Sequence, residues 1–162
     1  MKLNVGLKEF KKTYNQKRNQ VLYYKIKSKN SLEIENLINN LLEDKNSFIF
    51  ESVEKGKIKG RYTIFGKGPD KVWEFNQNRV SSIISGKKKI IKGDPKIILS
   101  KIIDDFRFKI PSSLPPMCSM IAGYFSYDTI RYIEKIKNSC KNDLKLPDIR
   151  LIRPTTLIIH DN

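Results

Sequence analysis

A chain of 162 residues with 39% hydrophobic content can bury one substantial core, with roughly 70% of the unfolded surface removed from water on folding. No run approaches the ~18 apolar residues that span a bilayer, and Met1 to Gly6 lacks the apolar stretch of a secretory signal, so a cytosolic protein with no membrane partner is expected. The formal charge of +15 suggests nucleic acid, but 25 of the 32 cations are lysine, whereas base reading and bidentate phosphate contacts favour arginine. Together with an excess of Ile and Asn, this reads as a lysine-coated soluble surface and no nucleic-acid partner.

In chain order, Val5, Phe10 and Tyr14 predict a short amphipathic helix over residues 5–14. Val21-Leu22-Tyr23-Tyr24 and Ile26 predict a strand within 20–27. Ser31 is a good N-cap, and Ile34, Leu37, Ile38, Leu41 and Leu42 form the stripe of a helix ending near Asp44. From Phe48 to Lys92 the pattern is strand and turn, with strands at 48–53, 61–65, 72–75, 80–84 and 89–91. Lys55-Gly56-Lys57, Gly66-Lys67-Gly68-Pro69-Asp70, Asn76-Gln77-Asn78 and Ser85-Gly86 are read as the turns. The Gly66/Gly68 pair lacks the ending and the following helix of a phosphate loop.

Asp94-Pro95 opens a helix, as cap and first helical residue, with Ile98, Leu99, Ile102, Ile103 and Phe106 on its apolar side. A loop over 110–116 holds three of the seven prolines. Met117 to Phe125 then reads as a strand in which Ser119, Ala122 and Gly123 permit close packing. Residues 128–137 read as a helix with Ile130 and Ile133 facing inward, and a strand pair is expected around Pro154. The order predicts an α+β fold: a mostly antiparallel β-sheet with about three helices packed on one side, one domain over 1–162, and a last strand with an open edge.

Cys118 and Cys140 are 22 residues apart and His160 is the only histidine, which matches neither a zinc motif nor a catalytic triad. Cys118 reads as a reduced core residue. Alternation along Phe48, Phe50 and Ser52 leaves Ile49, Glu51 and Val53 on the other face. The Glu51-Ser52 pair is costly to bury unless something hydrogen-bonds to it. Either it is a solvated hairpin edge, or it meets a small ligand bearing an ammonium and a carboxylate. Tyr124, Tyr127, Asp128, Arg131 and Glu134 form a polar-aromatic cluster whose i,i+3 spacing is that of a structural ladder.

Ile49-Phe50-Glu51-Ser52 resembles the Leu-Leu-Glu-Ser motif of the anthranilate synthase component I family, and Gly60-Arg61-Tyr62-Thr63 resembles the Gly-Arg-Tyr-Ser that follows it. Gly123-Tyr124-Phe125-Ser126-Tyr127-Asp128 with Arg131 and Glu134, then Leu146-Pro147-Asp148 and Arg153-Pro154-Thr155, are similar to later blocks in the same order. The likeness runs from about Val21 to Asn162. Ile49 and Phe50 depart from the usual leucines, and a phenylalanine at the second place narrows any slot beside it.

The resemblance implies a chorismate-utilising lyase of tryptophan biosynthesis. Chorismate and ammonia from a glutamine amidotransferase component II would give anthranilate and pyruvate. It implies that this chain is the amino-terminal portion and lacks the carboxy-terminal chorismate-binding half with its Mg2+ ligands, so catalytic and metal residues are expected outside it. It also implies that Phe50, Glu51 and Ser52 line the site of L-tryptophan, the feedback inhibitor, with Arg61 either on the ligand carboxylate or ion-paired with Glu51. The aminodeoxychorismate synthase component shares much of this half and is the alternative. A stand-alone small-molecule or RNA-binding module is the alternative of another class.

Overall fold

The computed structural model describes residues 3–27, 36, 39–40, 46–51, 61–77, 79–107, 110–137 and 143–161. The chain groups into two compact units, Met1–Glu43 with Phe108–Ser119 and Asp44–Arg107 with Met120–Asn162.

In the first unit, helix α1 (Leu7–Asn15) stacks Phe10 on Tyr14 one turn apart, with ring centroids 6.0 Å apart. The expected strand at 20–27 has no regular secondary structure. The backbone there bonds to Asn4 instead: the Asn4 side chain donates to the Val21 carbonyl at 3.1 Å and accepts the Tyr23 amide at 2.8 Å. A short asparagine thus satisfies backbone groups that a sheet neighbour would otherwise take. The Tyr23 hydroxyl meets the Ser113 hydroxyl at 3.2 Å, and Lys25 donates to the Ser113 carbonyl. Cys118 ends a 3-10 turn, Pro116–Cys118, and is half-buried rather than a core residue; burial pushes its thiol pKa up. The helix expected after Ser31 falls largely outside the described residues.

The second unit is built on a six-stranded antiparallel sheet: β1 (Phe48–Phe50), β2 (Tyr62–Asn76), β3 (Arg79–Ile84), β4 (Lys87–Ile91), β5 (Ala122–Phe125) and β6 (Ile149–Asp161). The order is β4-β3-β2-β6-β5, with β1 also paired to β2. With α1, and α2 (Pro95–Phe106) on the sheet, the fold is α+β and mostly sheet, as expected. Ser85 and Gly86, both at positive φ, make the tight β3–β4 turn that the sequence predicts.

The largest departure lies in β2. Gly66 to Asp70 was expected to be a turn, but the strand runs through it for 15 residues. Its register against β6 shifts between Pro69 and Lys71, so Asp70 is an extra residue and the segment is a bulge. Pro69 stands opposite Pro154, so neither donates a backbone bond. Side chains hold the place: Thr155 Oγ1 donates to the Gly68 carbonyl at 2.6 Å, and Arg153 Nε donates to Asp70 Oδ1 at 2.7 Å. Glycine and proline mark a bulge as readily as a turn.

Trp73, Phe75, Val80, Ile149 and Leu151 form a core with Ile98 and Ile102 of α2. Val72, Ala122 and Ile152 form a second core with Phe48, Ile83 and Met120. Since 72 and 73, and 151 and 152, are strand neighbours, the two cores lie on opposite faces of the sheet. Each buried large side chain contributes about 1.5–3 kcal/mol. Asp94 caps α2 as predicted, accepting the Lys96 amide at 2.7 Å ahead of Pro95. Ile103, expected on the apolar side, is exposed.

Two further expectations are corrected. The strand expected from Met117 begins only at Ala122, after the 3-10 turn. The helix expected over 128–137 is a 3-10 segment, Tyr127–Tyr132, and Ile133 faces solvent. The Ser126 amide ahead of it and its Thr129 and Tyr132 hydroxyls bond to Asp148. The pair of strands around Pro154 is one strand, β6, with β5 on one side over Ile149–Ile152 and β2 along the other. The strand expected at an edge therefore starts inside the sheet.

Candidate functional site

β1 pairs Phe48, Ile49 and Phe50 with Gly66, Phe65 and Ile64. Gly66 is needed there because a Cβ at that position would overlap the Phe48 ring. Phe48 in turn contacts Phe50, with centroids 4.9 Å apart. Phe50 keeps 44% of its surface exposed and Ile49, on the opposite face, is also accessible, so β1 shows an aromatic side chain on one face and an aliphatic one on the other. Glu51 follows the strand and is exposed. Ser52 lies outside the described residues.

Arg61 enters β2 and pairs with Asp161 at the end of β6, not with Glu51. Its Nε is 2.6 Å from Oδ1 and its Nη2 2.8 Å from Oδ2, a bidentate fork. The guanidinium also lies 4.9 Å over the Tyr62 ring. The bonds between the partners raise the Arg61 pKa and lower that of the Asp161 carboxyl.

The second constellation centres on Asp148. Its carboxylate accepts the Gln77 amide at 2.7 Å and the Tyr132 hydroxyl at 2.9 Å. Its carbonyl accepts the Ser126 amide at 2.7 Å and the Thr129 hydroxyl at 3.0 Å, while its own amide donates to the Phe75 carbonyl at 2.8 Å. Burial, then the bond to Asp148, pushes the Tyr132 phenol pKa well above its ordinary value. Leu146-Pro147-Asp148 and the Tyr127–Tyr132 segment therefore meet at one carboxylate. Asp128 and Arg131 form the expected i,i+3 ion pair at 3.0 Å.

A third group was not singled out in the sequence. Glu74, mostly buried, holds Lys88 at 2.8 Å and Arg150 at 3.6 Å, and Arg150 donates to Asn46 at 2.8 Å. The β2–β6 register, which pairs Glu74 with Arg150, and the β2–β3–β4 ladder, which brings Lys88 across, put them together. Among the described residues no group of three or more His, Cys, Asp or Glu converges as metal ligands do, and no helix is long and apolar enough to cross a membrane.

No protein-family model matches the chain. Curated relatives do. It is 27% identical to anthranilate synthase component 1 of Cereibacter sphaeroides over 161 residues, 96% of this chain and 32% of the relative. It is 32% identical to anthranilate synthase component 1 of Acetivibrio thermocellus over 71% of this chain and 24% of the relative. The sequence belongs with the anthranilate synthase component 1 family. A chloroplastic anthranilate synthase alpha subunit 2 of Arabidopsis thaliana is 34% identical over 74% of the chain and 21% of its own length. The chain thus spans between about a fifth and a third of the anthranilate synthase relatives quoted, and corresponds to their amino-terminal portion.

Proposed function

We propose that this chain is the amino-terminal regulatory portion of an anthranilate synthase component 1 and carries part of its feedback site for L-tryptophan. One observation carries this reading: β1 exposes Phe50 on one face and Ile49 on the other and is followed by an exposed Glu51, in the stretch that resembles the family's Leu-Glu-Ser strand. An indole needs an apolar wall, which Phe50 supplies, and an ammonium needs a carboxylate, which Glu51 supplies. Ser52, next in sequence, offers a hydroxyl for the ligand's polar end. Arg61 is engaged by Asp161, which favours a structural role for it over a contact with the ligand.

In the complete enzyme, chorismate and glutamine-derived ammonia would give anthranilate and pyruvate in the cytoplasm, with a glutamine amidotransferase component as partner. We assign chorismate lysis and the magnesium that assists it to the part of the relatives that this chain does not match, and expect the 162 residues alone to show no such activity. Tryptophan would inhibit by favouring one of two arrangements of the enzyme. The relatives quoted are all anthranilate synthase subunits, which favours this branch over aminodeoxychorismate synthesis.

Calorimetric titration of the chain with L-tryptophan, and with D-tryptophan as control, tests the reading. Saturable heat for the L-isomer that is lost in Phe50→Ala and in Glu51→Ala supports it. Identical heats for both isomers, or for both variants and the parent, overturn it.

A further inference from the structure

The first unit concentrates positive charge beside exposed apolar side chains. Residues 3–27 hold seven Lys or Arg and a single carboxylate, Glu9, so these 25 residues carry +6 of the chain's +15. Among the described residues none of these cations is ion-paired with a carboxylate. In the same stretch Ile26 is 71% exposed, Leu7 69%, Tyr14 68% and Leu3 53%.

Helix α1 sets the arrangement. It rests on Phe10 and Thr13, which are half-buried, and none of its residues is fully buried. Leu7 and Tyr14 stand to one side of that footing. Lys11, four residues after Leu7 and three before Tyr14, shares their side. Lys8 and Lys12 continue the same flank, while Glu9 lies across the helix. Gln20 Nε2 donates to the Phe10 carbonyl at 3.2 Å and the Tyr23 amide to Asn4, so residues 20–23 run back alongside α1 and keep Leu3 and Leu22 near it. A narrow apolar strip edged by lysines is the pattern of a helix lying in a membrane interface. The expectation of no membrane partner rests on the lack of a spanning run, and a surface-lying helix needs none.

We propose that this face of the first unit docks on a bilayer rich in anionic lipid. Leu7 and Tyr14 enter the boundary between headgroups and acyl chains, and Lys8, Lys11 and Lys12 meet the lipid phosphates. Charge complementarity and side-chain type decide the occupant. Six of the seven cations are lysine, and the aliphatic Leu3, Leu7, Leu22 and Ile26 outnumber the exposed Tyr14 and Tyr24. A single-stranded nucleic acid is held instead by stacked aromatic rings and arginine forks. The inference uses neither family membership nor the tryptophan reading.

Co-sedimentation of the whole chain with vesicles tests it. Phosphatidylcholine vesicles with and without phosphatidylglycerol are compared at low and high salt. The expected result is binding to the anionic vesicles alone, weakened by salt. Lys8→Glu/Lys11→Glu should lower that affinity by about tenfold or more. Leu7→Ser leaves the charge unchanged and should also lower it by about tenfold. Lys87→Glu/Lys89→Glu, on the exposed β4, makes the same charge change elsewhere and should bind within about twofold of the parent. Circular dichroism verifies that each variant folds. Absent binding, equal binding to neutral vesicles, equal losses in the two double variants, or full binding by Leu7→Ser overturns the proposal. So does retention on single-stranded RNA without vesicle binding.

Discussion

The Tyr132 hydroxyl donates to Asp148 at 2.9 Å, and the same carboxylate oxygen takes the amide of Gln77 from the β2–β3 turn. One side chain thus fastens the 3-10 segment to the far end of a hairpin distant in sequence. Tyr132→Phe is expected to cost about 1–2 kcal/mol, and Asp148→Ala about 2–4 kcal/mol because two donors lose their acceptor. Trp73, the chain's single tryptophan and part of the core, reports both unfolding midpoints by fluorescence.

Alkaline stability should depend on the same phenol. The folded-state pKa of Tyr132 lies above its unfolded value near 10. Its contribution is therefore fully present below about pH 10 and is lost as pH rises through the folded value. A denaturant midpoint that falls above pH 10 in the parent, and falls less in Tyr132→Phe, is the expected outcome. Parallel curves for the two would refute it.

Gly66 governs how β1 sits. Gly66→Val must displace the Phe48 ring, because even a Cβ overlaps it. Amide exchange over Phe48–Phe50 should then speed up by about tenfold or more, with the Trp73 core amides unaffected. Under the proposed function, weaker tryptophan binding should accompany it, although Gly66 itself has no side chain to offer a ligand.

The Arg61–Asp161 fork is solvent-exposed, so its removal should leave thermal stability essentially unchanged. Its signature is electrostatic. The Asp161 carboxyl titrates below the ordinary carboxylate range, and Arg61→Ala should return it towards that range. Any stability the pair adds is present above the unfolded carboxyl value and is lost as pH falls through the folded one. Carboxyl-carbon NMR titration measures the shift directly.

Glu74→Ala leaves Lys88 and Arg150 facing each other without their shared anion. A loss of about 1–3 kcal/mol is expected, with partial recovery in Glu74→Ala/Lys88→Met. Melting curves at low and high salt check it, since added salt should relieve the single variant more than the parent.

Local chemistry was legible in the sequence where it was self-contained. Asp94-Pro95 announced α2, Ser85-Gly86 the tight turn, and the strands expected at 72–75 and 80–84 fall within the central strands β2 and β3. Pairings set at long range were not. Nothing near Arg61 names Asp161, one hundred residues on, and nothing near Glu74 names Arg150. Gly66 to Asp70 misled because a bulge and a turn call for the same residues, and only a partner strand tells them apart. The 128–137 stretch has helical periodicity, yet it folds as a 3-10 segment whose Thr129 and Tyr132 bond to Asp148. For the candidate site, the order of motif blocks pointed to the family, whereas the partner of Arg61 and the exposure of Phe50 required three-dimensional information.

The facing prolines at positions 69 and 154 interrupt the longest pairing in the sheet. On one side of them lie the rungs that carry β1, and on the other those buried under α2. At that rung neither strand can donate a backbone bond. The two side-chain clasps, Thr155 on Gly68 and Arg153 on Asp70, stand at that rung in place of the missing donors, between the stretch of β2 that carries β1 and the layer around Trp73.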